Sequence, residues 1–155
     1  MLSNSFLLSK VRAAYPNLNF TDGEAFQWSP HEKTIYYHPD GPAFDLIHEL
    51  AHALLGHTSY TKDIQLLEME RDAWARAITI AAQYDITVTE DYIQDALDTY
   101  RDWLHARSTC PECNATGLQS KKSLYRCLVC STEWRVNDAR VCALRRYKLT
   151  KNTPQ

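Results

Sequence analysis

Apolar and polar positions change their period several times along this chain, and each change marks an element. Residues 2–14 read as an amphipathic helix, closed at Tyr15-Pro16 because the residue before a proline avoids the helical region. In "AFQWSPHEKTIYYHPDGP", residues 25–42, the strand-formers Phe26, Trp28, Ile35, Tyr36 and Tyr37 flank the turn-like "SPHEK". That pattern predicts a β-hairpin. "HPDGP" breaks the second strand, and Pro42 suits the first turn of a helix running to about His57. A second long helix is expected from about Lys62 to Tyr84. A third opens at Thr89, a good N-cap, with Glu90 and Asp91 in the first turn where the helix dipole favours them, and continues to about Arg107. The predicted fold class is α+β: a mainly helical core with a small β-hairpin or sheet, followed by a C-terminal module.

The third of these elements carries chemistry. "PAFDLIHELAHALLGH", residues 42–57, sets His48, Glu49, His52 and His57 in an otherwise apolar run. Residues four apart in a helix lie one turn above each other, so His48 and His52 can offer imidazole nitrogens to one metal ion. Glu49 stands about 100° round from His48, beside the ion rather than on it, where it can take a proton from water. A solvated helix face with two chance histidines is the simpler alternative. Against it, Leu50, Ala51, Ala53, Leu54 and Leu55 make the helix a buried one, in which polar residues need partners.

A catalytic zinc takes three protein ligands and leaves a fourth position open. His57 is the nearest further histidine, but it lies about 140° round from His52 on a continuing helix and could join only through a break at Gly56. It ranks second as a ligand, behind a structural or substrate-side role. In "DIQLLEMERDAWARAITIAA" an apolar stripe passes through Leu66/Leu67, Ala73/Trp74, Ala77 and Ala81, and Glu70 falls in its middle. A carboxylate there is costly unless it is paired or binds metal, so Glu70 is the predicted third ligand, with a buried ion pair to Arg71 or Arg76 as the alternative. Asp72, towards the flank of the stripe, is a candidate to orient a ligand histidine from behind.

"HELAHALLGH" followed by "ERDAWARA" resembles the ImmA/IrrE-type metallopeptidases, whose zinc helix reads HELGHxLLGH and whose next helix carries a motif close to E-x-E-A-N-x-F-A. The resemblance covers about residues 25–85. It implies a zincin-like core with His48, His52 and Glu70 on the zinc, Glu49 as general base, and His57 as a family-typical residue rather than an obligatory ligand. It also implies hydrolysis of a peptide bond in a specific intracellular protein such as a repressor. Asp72, Trp74 and Arg76 stand where Glu, Asn and Phe are usual, which leaves the substrate open. A further oxyanion donor is expected, with His57 and Tyr60 as candidates. The strand around Ile35–Tyr37 either pairs with an extended peptide by edge addition or packs as core hairpin.

Composition and charge then divide the chain. At 45% hydrophobic and 23% charged it has the make-up of a folded domain, not of a disordered one. No apolar run approaches the length of a membrane span, and Lys10 and Arg12 stand where a signal-peptide cleavage site would follow the N-terminal apolar patch. A cytoplasmic protein with no membrane partner is expected. Residues 1–107 hold 8 Lys+Arg against 16 Asp+Glu, a formal −8; residues 108–155 hold 9 against 3, a formal +6. All five cysteines lie in the second part. The predicted domains are therefore a metallopeptidase domain over 1–107 and a zinc ribbon with a basic tail over 108–155.

Cys110, Cys113, Cys127 and Cys130 are spaced C-x2-C-x13-C-x2-C, the pattern of a closed tetrahedral thiolate site that holds structural zinc. In a cytosolic chain disulfides are the weaker explanation. Two zinc ions per chain are expected, one catalytic and one structural. Cys142 is left over as a buried or free thiol. Lys121, Lys122, Arg126, Arg135, Arg140, Arg145, Arg146 and Lys148 could contact phosphates, and Tyr125, Trp134 and Tyr147 could stack on bases. A ribbon that docks on the acidic part, or a plain solvated basic face, is the equal alternative. "YRCLVC" also resembles the ribbon of SprT-like proteases, which act on DNA-bound proteins, although that family takes its third zinc ligand from a histidine. Two functions stand: a zinc endopeptidase brought by its ribbon to a specific or nucleic-acid-bound protein, or a zinc-binding regulatory or nucleic-acid-binding module without catalysis. Glu49 favours the first, since a non-catalytic descendant could lose it and this chain keeps it.

Overall fold

The computed structural model describes residues 4–139 and 143–150, so Arg140 and Cys142 lie outside the described residues. Those described form four helices and two small sheets, an α+β arrangement. None of the helices is long and apolar enough to cross a membrane. By internal contacts the chain divides into two units, Met1–Ser59 with Glu68–Gln94, and Tyr60–Leu67 with Asp95–Gln155.

In the first unit, helix α1 (Asn4–Ala14) buries Leu7, Leu8 and Val11 on one face. Strands β1 (Asn19–Asp22), β2 (Gln27–Ser29) and β3 (Thr34–Tyr37) form a sheet of order β1-β3-β2. β2 and β3 are the expected antiparallel hairpin, with Trp28 opposite Ile35. β1 pairs parallel to β3 from Asn19–Thr34 to Asp22–Tyr37. Its sequence, NFTD, buries only Phe20, so it has no alternation to read. This strand corrects one expectation. Both edges of β3 are already paired, so Ile35–Tyr37 packs as a central strand and not as an edge that accepts a peptide.

Helix α2 (Ala43–Leu54) starts after Pro42, which is the N-cap rather than a first-turn residue. Leu46, Ile47, Leu50 and Ala51 are fully buried along it. It ends at Leu54 and not at His57. Gly56 takes the left-handed φ of +69°, the Gly56 N–H donates to the Ala53 carbonyl at 3.1 Å, and the His57 N–H donates to the His52 carbonyl at 3.1 Å. These paired bonds are a Schellman motif, which satisfies the last carbonyls of the helix and turns the chain back on it. Helices α3 (Asp63–Ala82) and α4 (Glu90–Ser108) lie within two residues of their expected bounds. The Tyr92 N–H donates to the Thr89 hydroxyl at 3.3 Å, the cap foreseen for α4.

The second unit is built on an antiparallel sheet of order β4-β5-β6-β7: Gly117–Lys121, Leu124–Cys127, Glu133–Val136 and Arg146–Lys148. Tyr125 and Trp134 stack at 5.6 Å on its inner face, with Cys110, Cys127 and Val136 in the same core. Only glycine fits at 117, because a Cβ there would lie 2.4 Å from the Trp134 ring. Asp63, in the first turn of α3, accepts hydrogen bonds from Arg107 Nε at 2.7 Å and the Tyr125 hydroxyl at 2.5 Å. Trp134 Nε1 donates to the Arg107 carbonyl at 2.8 Å, so Arg107 is held at both ends.

Candidate metal centres

His48 and His52 project from the same face of α2, and Glu70 of α3 meets them. His48 Nε2 lies 3.0 Å from Glu70 Oε2, His52 Nε2 lies 3.3 Å from Glu70 Oε1, and the two Nε2 atoms are 3.1 Å apart. All three side chains are buried. A tetrahedral ion with ligands at about 2.0–2.1 Å has ligand–ligand edges of about 3.3 Å; the two imidazole nitrogens stand close to that spacing, and each has a different oxygen of the Glu70 carboxylate at a similar distance. Burial opposes ionisation of Glu70, but hydrogen bonds from His48 and His52 and their charge outweigh it and hold the carboxyl at about 2. Arg71 is turned elsewhere: its guanidinium binds Asp72 at 2.9 Å on the exposed surface.

Glu49 stands beside this group. His48, Glu49 and His52 also bring one ligand atom each within 4.8 Å of one another. The Glu49 carboxylate is already anchored, accepting the Trp28 backbone N–H on Oε2 at 2.7 Å. Burial raises the Glu49 carboxyl above the usual glutamate range, against the lowering effect of His48, His52 and the Trp28 amide.

The turn at Gly56 brings His57 back beside His52, with their Nδ1 atoms 2.8 Å apart. Nδ1 is the His52 nitrogen that faces away from Glu70, so His57 supports His52 from behind rather than completing the metal face. Burial and the neighbouring His52 lower the His57 pKa. Asp72 acts on His57 only through its charge, and its oxygen Oδ1 takes Arg71. Tyr60 belongs to the second unit. Two contributors left no motif. The Trp28 amide on Glu49 is backbone chemistry, which no side chain advertises. Trp74, four residues after Glu70 in the apolar stripe, stacks on His48 with ring centroids 4.1 Å apart.

The four cysteines of the second unit form another group whose sulfurs all lie within 4.8 Å. Cys110 and Cys130 Sγ are 3.6 Å apart, and Cys113 and Cys127 Sγ 3.5 Å. A disulfide needs about 2.05 Å. A tetrahedral ion with sulfurs at about 2.3 Å has edges of about 3.8 Å, close to what is seen. The two knuckles repeat each other. In the first, the Glu112 N–H donates to Cys110 Sγ and the Asn114 N–H to the Cys110 carbonyl; in the second, the Val129 N–H donates to Cys127 Sγ and the Ser131 N–H to the Cys127 carbonyl. Asn114 and Ser131 close both with positive φ, 62° and 63°. The Thr132 hydroxyl and amide hold Cys130 down at about 6. At Cys113 the Ala115 amide favours the thiolate, but the surrounding sulfurs outweigh it and push the thiol up to about 12. Four thiolates so close repel one another, and a bound cation removes that conflict.

The basic side chains are unevenly disposed. Lys148 pairs with Glu112, and Arg146 donates to the Thr109 carbonyl. Arg135 stacks on the exposed Tyr147 at 4.7 Å. Tyr125 and Trp134 are buried, 2% and 0% exposed, which removes both as base-stacking residues and leaves Tyr147. Among the described residues two groups could hold metal ions, one of four cysteines and one on the H-E-x-x-H helix. Compared with family models, curated proteins and solved structures, the chain finds no match.

Proposed function

We propose that the chain is a zinc-dependent endopeptidase: a zincin-like core of the ImmA/IrrE type with a catalytic zinc on His48, His52 and Glu70, and a zinc ribbon with a structural zinc on Cys110, Cys113, Cys127 and Cys130. The observation that carries the reading is the buried cluster of two imidazole nitrogens 3.1 Å apart, each facing one oxygen of the Glu70 carboxylate, at 3.0 and 3.3 Å. Two imidazoles and one carboxylate leave a fourth position open, the donor set of a catalytic zinc, whereas four thiolates close a structural one.

A bound zinc would supply Lewis acidity towards the scissile carbonyl and towards water. Glu49 takes the proton of the attacking water and returns it to the leaving amine. Its raised pKa makes it a stronger base than an exposed glutamate, and the Trp28 amide fixes one carboxylate oxygen while the other serves the proton. His57 keeps the His52 ring turned, leaving Nε2 directed at the metal position. The ribbon delivers the enzyme to its cytoplasmic target, a regulatory or nucleic-acid-bound protein, with the Arg135–Tyr147 stack and Arg126 as its nucleic-acid contacts.

The test is a cell extract incubated with the zinc-loaded native chain or with Glu49→Gln, followed by mass-spectrometric identification of new protein N-termini. Cleavage at discrete sites by the native chain and none by the variant is expected. Equal cleavage by both would remove Glu49 as the base and the peptidase reading with it.

A further inference from the structure

The two histidines of the candidate zinc site are held in different ways. His52 has His57 against its far ring nitrogen, the arrangement that usually fixes a ligand imidazole. His48 has no such support: its Nδ1 is buried and finds no hydrogen-bond partner among the described residues. Instead the ring lies against an indole. Trp74 stacks on His48 at 4.1 Å between centroids and 25° between planes. The indole sits on α3 one turn after Glu70, so a single helix face presents both the carboxylate and the stacking ring. Trp74 is itself wedged edge-on by Tyr92 at 5.8 Å. The Tyr92 hydroxyl donates to the Asp45 carboxylate, 2.9 and 3.1 Å from its two oxygens, and Asp45 is three residues before His48 on α2. The chain of contacts thus returns to the helix on which it began.

We propose that Trp74 is a positioning residue for His48: its indole, braced by Tyr92 and Asp45, sets the imidazole plane that elsewhere would be set by a hydrogen bond at Nδ1. The proposal rests on reading His48, His52 and Glu70 as zinc ligands. An imidazole that has given its lone pair to a cation carries part of the positive charge, and the indole face attracts positive charge. The stack therefore strengthens when metal binds, and its loss weakens metal binding beyond any effect on the fold. Indole is the best such face and a benzene ring a weaker one, so the effect is graded.

The experiment is cobalt(II) and zinc binding to the full chain under chelator competition, with native protein, Trp74→Phe and Trp74→Leu. Cobalt spectra separate the thiolate site from the imidazole–carboxylate site. Metal at the His48 site is expected to bind about 10–100-fold more weakly in Trp74→Leu, the usual scale for losing the support of a ligand, with Trp74→Phe between the two. Binding at the four cysteines stays native. A folded Trp74→Leu with native affinity, or a Phe variant no better than Leu, overturns the proposal. If the Leu variant does not fold, Trp74→Phe decides: weaker binding confined to the His48 site supports the brace, and native binding overturns it. Native protein that loads only the four-cysteine site defeats the zinc reading itself, which is a different result from a native-like variant.

Discussion

His57 Nδ1 lies 2.8 Å from His52 Nδ1, on the side of the imidazole opposite the nitrogen that faces Glu70. The contact depends on the Schellman turn, because on a continuing helix His57 would point about 140° away from His52. His57→Ala is expected to weaken metal at the His52 site by about 10–100-fold without unfolding the protein. Gly56→Ala is expected to act in the same direction through the backbone: nothing obstructs a Cβ there, but φ of +69° costs a residue other than glycine about 1 kcal/mol. Chelator competition measures both. Native affinity in His57→Ala would leave the contact without a role.

Asp63 and Arg107 form a buried ion pair, with side chains 4% and 5% exposed, and Tyr125 adds its hydroxyl to the same carboxylate. Asp63→Ala leaves a buried guanidinium without its counter-charge, with the Asn137 carbonyl and the Trp103 ring as neutral partners, and is expected to cost about 3–5 kcal/mol. Tyr125→Phe removes one hydrogen bond and should cost about 1–3 kcal/mol. Denaturant unfolding checks the ranking. A Tyr125→Phe change larger than that of Asp63→Ala would contradict it.

The sulfur spacings of 3.5 and 3.6 Å separate two behaviours of the second unit. A reducing agent alone should leave its melting temperature unchanged, since no disulfide joins these four cysteines. A strong chelator should lower it sharply, because binding free energy at such a site is folding free energy. Cys113→Ser should mimic the chelator in this unit and leave metal at His48 and His52 in place. A melting temperature that falls with reductant and ignores chelator would contradict the thiolate site.

Much of this was legible because it is local. His48 and His52, four apart, and the paired cysteines fix their geometry within one helical turn or one knuckle. Glu70 could be found because a carboxylate in an apolar stripe needs a reason. Helix α3 is legible from its apolar stripe and α4 from its Thr89 cap. The remaining features depend on contacts distant in sequence. β1 buries a single side chain and owes its existence to β3. The end of α2 had a readable sign in Gly56, but the fold-back of His57 follows from two backbone hydrogen bonds. Tyr125 and Trp134, candidates for base stacking in the sequence, each lie two residues from another buried position, Cys127 and Val136, and a period of two puts all four inward. The Trp28 amide on Glu49 has no sequence signature at all.

The central claim is that His48, His52 and Glu70 together hold a metal ion separate from the one on the cysteines. Elemental analysis of the purified full chain tests it most directly, alongside His48→Ala and Glu70→Ala. Two zinc ions per native chain and one in each variant are predicted. One zinc in the native chain, with the same count in both variants, would contradict the account.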